Sequence, residues 1–237
     1  MFGQIPRTPY DLHFQVLGIP VRIHPAFFVI SAIMGFSEGW ARELQVNALI
    51  PILLWTGIVF VSILIHELGH ALMARSFGWP PQITLYHFGG LASFQPTYGY
   101  TPTRSVLISL AGPGAGFIFY GVIIAVESLM IQQGVQQTPM MYYIFLQLKF
   151  VNLWWGLVNL LPVYPLDGGQ VAEQVCRRMD PYRGMANTFK LGIIVGVGVA
   201  IVAWQKTNDT YVAILFLILA FNNYQMLEQT SGRRGPW

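Results

Sequence analysis

The stretch ILIHELGHALMA, Ile63–Ala74, decides how the rest of the chain is read. It lies within a run from Asn47 to Phe77 that is apolar enough to cross a bilayer as a helix, yet it holds two histidines and a glutamate. An ionisable residue in the middle of such a helix costs roughly 2.5 to 3.5 kcal/mol on insertion scales, so residues of this kind face a polar cavity and act there. His66 and His70 are four apart and leave one face of a helix a turn apart, where both imidazoles can reach one metal ion. Glu67 stands beside them, and in the HExxH pattern it takes a proton from the attacking water rather than binding the metal. Gly69 leaves room for a second helix or a substrate to approach. The competing reading, three polar residues that only hydrogen-bond neighbouring helices, carries less weight.

Composition agrees with a membrane setting. Of 237 residues 54% are hydrophobic and only 10% charged, with a mean hydropathy of +0.51, whereas soluble domains carry roughly 25% charged residues. The chain therefore reads as an all-α polytopic membrane protein. Its net charge of +3 is spread along the whole length and forms no nucleic-acid-binding stripe. One cysteine, Cys176, excludes an internal disulfide and leaves no cysteine-based metal motif. The N-terminal MFGQIPRTPYDLHF lacks the basic-then-apolar pattern of a cleavable signal.

A bilayer core needs about 20 mostly apolar helical residues, and six candidate spans emerge: 24–40, 47–77, 103–131, 141–166, 187–205 and 209–227. No repeat or soluble domain interrupts them, so the expected organisation is one membrane domain over 1–237, with a core at about 47–170 and accessory spans at 24–40, 187–205 and 209–227. Six spans put Arg7, Arg22, Arg75, Arg104, Arg177, Arg178, Arg183, Lys190, Arg233 and Arg234 on one side, against Arg42, Lys149 and Lys206. By the positive-inside rule both termini are then cytoplasmic. If the first span does not cross, Arg7 and Arg22 change sides. FQVLGIPVRIH reads as a short hairpin, and QITLYHFGGLASFQ, Gln82–Gln95, as a membrane-associated β-hairpin turning at Gly89-Gly90.

A catalytic zinc takes three protein ligands and leaves a position open. The candidates for the third are His13, His24, His87, Glu127, Asp167, Glu173 and Cys176. Glu127 closes its span on the far side, whereas Asp167 ends a span that runs in the same direction as the one bearing His66. In NLLPVYPLDGG, Asn159–Gly169, two prolines and two glycines predict a partly unwound segment, which is tolerated at membrane depth where it lines a wet cavity. Asp167 is favoured on these grounds, with Glu173 as the alternative and a helix-capping role for Asp167 as the structural one.

These residues resemble the site-2 protease family of intramembrane zinc metalloproteases. HELGH matches its HExxH, and NLLPVYPLDGG matches its second signature, Asn-x-x-Pro followed by Leu-Asp-Gly-Gly; GIPVRIH, Gly89-Gly90 and LAGPGAG, Leu110–Gly116, extend the likeness over most of 18–170. The resemblance implies one Zn2+ held by His66, His70 and Asp167, Glu67 as general base, and Asn159 near the scissile carbonyl. The short plan is similar to the sporulation-type branch, without room for a PDZ domain between spans or a C-terminal CBS domain. It implies hydrolysis of a peptide bond in or near the transmembrane segment of single-span membrane proteins. The expected setting is the lipid bilayer of the cell (inner) membrane, with the active site toward the cytoplasm, room for a regulatory membrane partner, and no nucleic acid. His24 and His87 read more simply as interfacial, and the LAGPGAG glycines as helix packing rather than phosphate binding. The alternative function, a zinc- or proton-coupled membrane transporter, predicts repeat symmetry and polar residues distributed through the membrane, and neither is visible.

Overall fold

Why a ten-residue helix stands where a full span is expected is answered by a sheet that runs alongside the longest helix of its unit. The structure is a computed structural model that describes residues 6–35, 38–86, 89–96, 98–207 and 210–232. The chain begins with β1 (Leu12–Val16) and β2 (Ile19–Ile23), joined at Leu17 and Gly18 with φ of 52° and 76°. Two successive positive φ angles give the turn whose twist suits a two-residue hairpin. Then follow α1 (Ala26–Gly35), α2 (Glu38–Glu43) and α3 (Leu49–Ser76), which carries HELGH. After β3 (Pro81–Tyr86) and β4 (Gly89–Phe94) the chain is helical: α4 (Pro102–Gln132), α5 (Pro139–Asn159), α6 (Asp167–Met179), α7 (Gly184–Val202) with a π-helical turn at Ala203–Thr207, and α8 (Thr210–Gly232).

Among the described residues four helices are long and apolar enough to cross a membrane: Leu49–Ser76, Pro102–Gln132, Gly184–Lys206 and Thr210–Thr230. This is a multi-pass membrane protein. α5 has 21 residues and is not among those four. The chain divides into two compact units, one of Met1–Gly99 with Ala111–Gly156 and one of Tyr100–Leu110 with Leu157–Trp237.

In the first unit the sheet order is β1-β2-β3-β4, with β2 and β3 parallel and both outer pairs antiparallel. The sequence predicted a β-hairpin over 82–95 and a separate one near Gly18; the structure corrects this to one four-stranded sheet. Alternation explains its inner face, because Ile19, Val21, Ile23, Ile83 and Leu85 all turn toward Ile63 and Ala71 of α3 and are buried with them. The sheet flanks the C-terminal half of α3: the Phe14 ring lies 6.5 Å from that of Phe60, and Arg75 Nη1 donates to the Leu17 carbonyl at 2.6 Å.

That placement corrects the first expected span. α1 runs against α3, with Phe27 at Phe60 and Gly35 against Trp55. At 1.5 Å per residue it is about 15 Å long, half of a ~30 Å bilayer core. It starts beside the middle of α3, where the sheet ends, and so has only half the length of α3 to descend. α5 runs parallel to α3, since Tyr143 Oη donates to the Pro51 carbonyl at 3.3 Å and Asn152 Nδ2 to Ser62 Oγ at 2.9 Å. α4 is antiparallel to α5, with Phe117 against Gly156 and Glu127 paired with Lys149.

In the second unit α7 presents Gly184, Thr188, Gly192, Gly196 and Ala200 at intervals of four, all buried. Gly196 lets α8 come so close that a Cβ there would sit 3.1 Å from Ala220 Cβ. The segment 160–166 between α5 and α6 is not helical, as Pro162 and Pro165 predict. It folds back over the first turn of α6, so that a Cβ on Gly168 would overlap the Leu160 carbonyl and one on Gly169 the backbone of Val163 and Tyr164. The two glycines after Asp167 are there because the chain lies against its own preceding segment.

Candidate active site

The HELGH histidines meet as the helical spacing requires. His66 Nε2 and His70 Nε2 are 3.1 Å apart, with the two rings edge to face at 4.8 Å between centroids. Two nitrogens on one tetrahedral zinc at 2.0–2.1 Å lie about 3.3 Å apart, so this pair is already spaced as metal ligands. Among the described residues His66, Glu67 and His70 form a group able to hold a metal, their ligand atoms within 4.8 Å of one another and all three buried. Two imidazoles and a carboxyl group in a largely apolar helix are the donor chemistry that suits zinc.

Neighbouring elements make room for the cluster through glycine. Gly90 of β4 lies against the Glu67 side chain, and Gly112 of α4 against the His70 imidazole, so closely that a Cβ at either position would overlap it. Gly69 performs the same service in reverse, its missing side chain admitting the backbone of Ala111 and the methyl of Ala115 from α4. Trp155 of α5 closes a further side, its ring 6.5 Å from His66 and against Gly89. Tyr86 of β3 keeps its phenolic proton to higher pH than usual, chiefly through burial and further through the negative charge of Glu67.

The other sequence candidates separate clearly. Asp167 is the first residue of α6, only 6% exposed, and Asn159 is the half-buried last residue of α5; both belong to the second unit. Glu127 accepts from Lys149 Nζ at 2.6 Å and from Gln137 at 3.3 Å, and Glu173 pairs with Arg177 at 2.9 Å. His24 Nδ1 accepts from the Ala26 backbone N–H at 3.1 Å at the start of α1, and His13 is exposed. Cys176 is half-buried beside an apolar cavity of about 340 Å3. His87 lies outside the described residues.

Residues 55–140 and 128–204 match Peptidase family M50. The chain belongs to that family, the site-2 proteases. Within it, this chain is 28% identical over 192 residues to a zinc metalloprotease of Methanocaldococcus jannaschii, covering 80% of this chain and 51% of that protein. It is 28% identical over 168 residues to stage IV sporulation protein FB of Bacillus subtilis, covering 70% of this chain and 50% of that one. The chain thus spans about half the length of these family members. The fold is that of the solved site-2 protease from M. jannaschii, with a TM-score of 0.59 and 24% identity over 92% of this chain and 95% of that structure.

Sequence reasoning missed the supports of the family motif. Asn152, buried between α5 and α3, and Asn223, buried in α8, stand in apolar helices much as the HELGH residues do. Asn152, set between Phe150-Val151 and Leu153-Trp154, was a usable signal, because a buried amide needs a partner; Asn223, beside Asn222, was not. Nothing local marks Gly90 and Gly112 as neighbours of Glu67 and His70.

Proposed function

We propose that this chain is an intramembrane zinc metalloprotease that hydrolyses a peptide bond in or near the transmembrane segment of a membrane-protein substrate. The observation that carries the reading is the 3.1 Å approach of His66 Nε2 and His70 Nε2 with Glu67 beside them, buried in a helix able to span a membrane. His66 and His70 hold the metal, and Asp167 is the third ligand; the parallel course of α3 and α5 supports that assignment, as does the burial of Asp167. Zinc held there would supply Lewis acidity to the scissile carbonyl and to the attacking water, which could then lose a proton near neutral pH. Glu67 takes that proton and returns it to the leaving amine, and Gly90 leaves the room its side chain occupies. Asn159 donates to the carbonyl oxygen as negative charge develops there.

A substrate helix buries its own carbonyls in hydrogen bonds and must unwind before attack. β4 is the last strand of the sheet and Gly90 touches Glu67, so an extended segment added along β4 would run past the general base. The substrates are single-span membrane proteins, cleaved at the cell (inner) membrane from the cytoplasmic side. One descent and return before β3 is supported by strand parity: β2 and β3 are hydrogen-bonded in parallel, so the chain leaving Ile23 must run the other way before α3 brings it back. Arg22 and Arg75 thereby stay on one side, which keeps both termini cytoplasmic under the positive-inside rule.

The test uses the full chain reconstituted in vesicles with a single-span reporter protein. Zinc-dependent cleavage, abolished by a chelator, restored by added zinc and mapped by mass spectrometry to the span or its border, is the expected result. Cleavage that persists in excess chelator would overturn the metalloprotease reading.

A further inference from the structure

The last helix carries a buried amide that the proposed mechanism does not use. Asn223 of α8 has no exposed surface, and its Nδ2 donates to the Leu219 carbonyl at 2.8 Å and to the Tyr164 carbonyl at 2.6 Å. The first bond stays within the helix; the second reaches the unwound segment 160–166, three residues before Asp167. Gly192 of α7 makes space for this amide, since any side chain there would overlap Asn223 Oδ1. Two helices are thus adapted to one hydrogen bond on one backbone carbonyl.

That carbonyl matters because its segment has few means of holding itself. Pro162 and Pro165 donate no backbone hydrogen bond, and the segment's other bonds are short-range ones, among them Leu161 N–H to Val158, Val163 N–H to Leu161, Leu166 N–H to Val163 and Gln170 Nε2 to Pro165, while the Tyr164 ring packs edge-on against Phe189 of α7. Gly169 packs on the backbone of Val163 and Tyr164, and Gly168 on Leu160 and Leu161. The position of Tyr164 therefore sets the first turn of α6, where Asp167 stands. We propose that Asn223 is a positioning residue for Asp167, holding the unwound segment so that the carboxylate is presented in one orientation for the metal. The helices first read as accessory spans then supply the outer support of the metal site. This inference rests on the reading of Asp167 as third ligand.

The experiment measures zinc affinity by competition with a fluorescent chelator, on the full chain in detergent micelles, for wild type, Asn223→Asp, Asp167→Asn and the double variant. Asn223→Asp keeps the shape but removes the donor. The thermal midpoint of each metal-free protein is recorded alongside, and Asn223→Ser serves as the donor-shortened form if the aspartate variant does not fold. Asp167→Asn is expected to lower zinc affinity by more than 100-fold and Asn223→Asp by about 10- to 100-fold, the range for outer supports of metal ligands. The double variant should bind no more weakly than Asp167→Asn alone, because Asn223 acts through Asp167.

An unchanged affinity in Asn223→Asp beside a large loss in Asp167→Asn would overturn this proposal and leave the ligand assignment standing. An equal loss from Asn223→Asp in both backgrounds would overturn it too, as would failure of both Asn223 variants to fold, since each assigns Asn223 to the fold at large. No change in Asp167→Asn would defeat the ligand reading and this proposal with it.

Discussion

The helix bearing HELGH and the unwound segment before Asp167 solve one packing problem in opposite ways. In α3 the backbone is regular and the polar side chains need space, which other elements give up: Gly90 from β4 clears Glu67, and Gly112 from α4 clears His70. In 160–166 the backbone itself is irregular and folds closely over the turn that follows, so the chain supplies its own glycines there, Gly168 and Gly169. The first arrangement makes the chemistry depend on residues far away in sequence. The second makes it depend on immediate neighbours, with more distant fastenings at Asn223 and Phe189.

The difference can be broken experimentally, and the largest effect is expected in α4. Gly112→Ala pushes the His70 ring from its place, and zinc affinity should fall by up to about 100-fold, the upper range for a disturbed support of a metal ligand. A chelator titration that finds wild-type affinity would show that His70 yields freely and that α4 does not confine it. Gly90→Ala should displace Glu67 while sparing both histidines. Cleavage should then drop about 100-fold, the lower range for a lost acid–base group, with zinc content retained; loss of zinc along with cleavage would mean that β4 supports the ligands and not the base.

For the second region, Gly168→Ala meets the carbonyls of Leu160 and Leu161, which are backbone and cannot rotate away. Overpacking of this kind costs about 1–3 kcal/mol, to be seen as a lowered unfolding midpoint of the metal-free protein, whereas Gly112→Ala should change that midpoint less. If Gly168→Ala were the milder of the two, the contrast between distant and local glycines would fail.

The smallest effect is expected where neither region is touched. Asp11 is held below its ordinary carboxylate range chiefly by the Thr8 hydroxyl, with the Thr8 backbone N–H and the Arg22 guanidinium adding to it against a partly opposing cost of burial. A depressed pKa stabilises the fold above the unfolded carboxylate's value and loses that contribution as pH falls through the folded one. The stability gap between wild type and Asp11→Asn should therefore be constant at neutral pH and close only below about pH 4. A gap that closes instead between pH 6 and 8 would assign it to another group.

What the sequence disclosed follows the same division. The unwound segment was legible because Pro162, Pro165, Gly168 and Gly169 act within a few residues, and the HELGH cluster because the i, i+4 rule is local. The single sheet was not legible, since β2 and β3 are paired across α1, α2 and α3, and parallel partners so far apart leave no turn signal between them. The shortness of α1 was hidden for the same reason, its length being set by where the sheet meets α3. Gly90, Gly112, Asn152 and Asn223 take their meaning only from partners brought up by the fold.

The central claim, that His66 and His70 hold zinc while Glu67 moves the proton, is tested most directly by one paired measurement. Zinc content and reporter cleavage are determined for purified wild type and for Glu67→Gln, which keeps the size of the side chain and removes the base. The account predicts about one zinc per chain in both and cleavage in wild type alone. Cleavage by Glu67→Gln at the wild-type rate, or wild type without zinc, would contradict it.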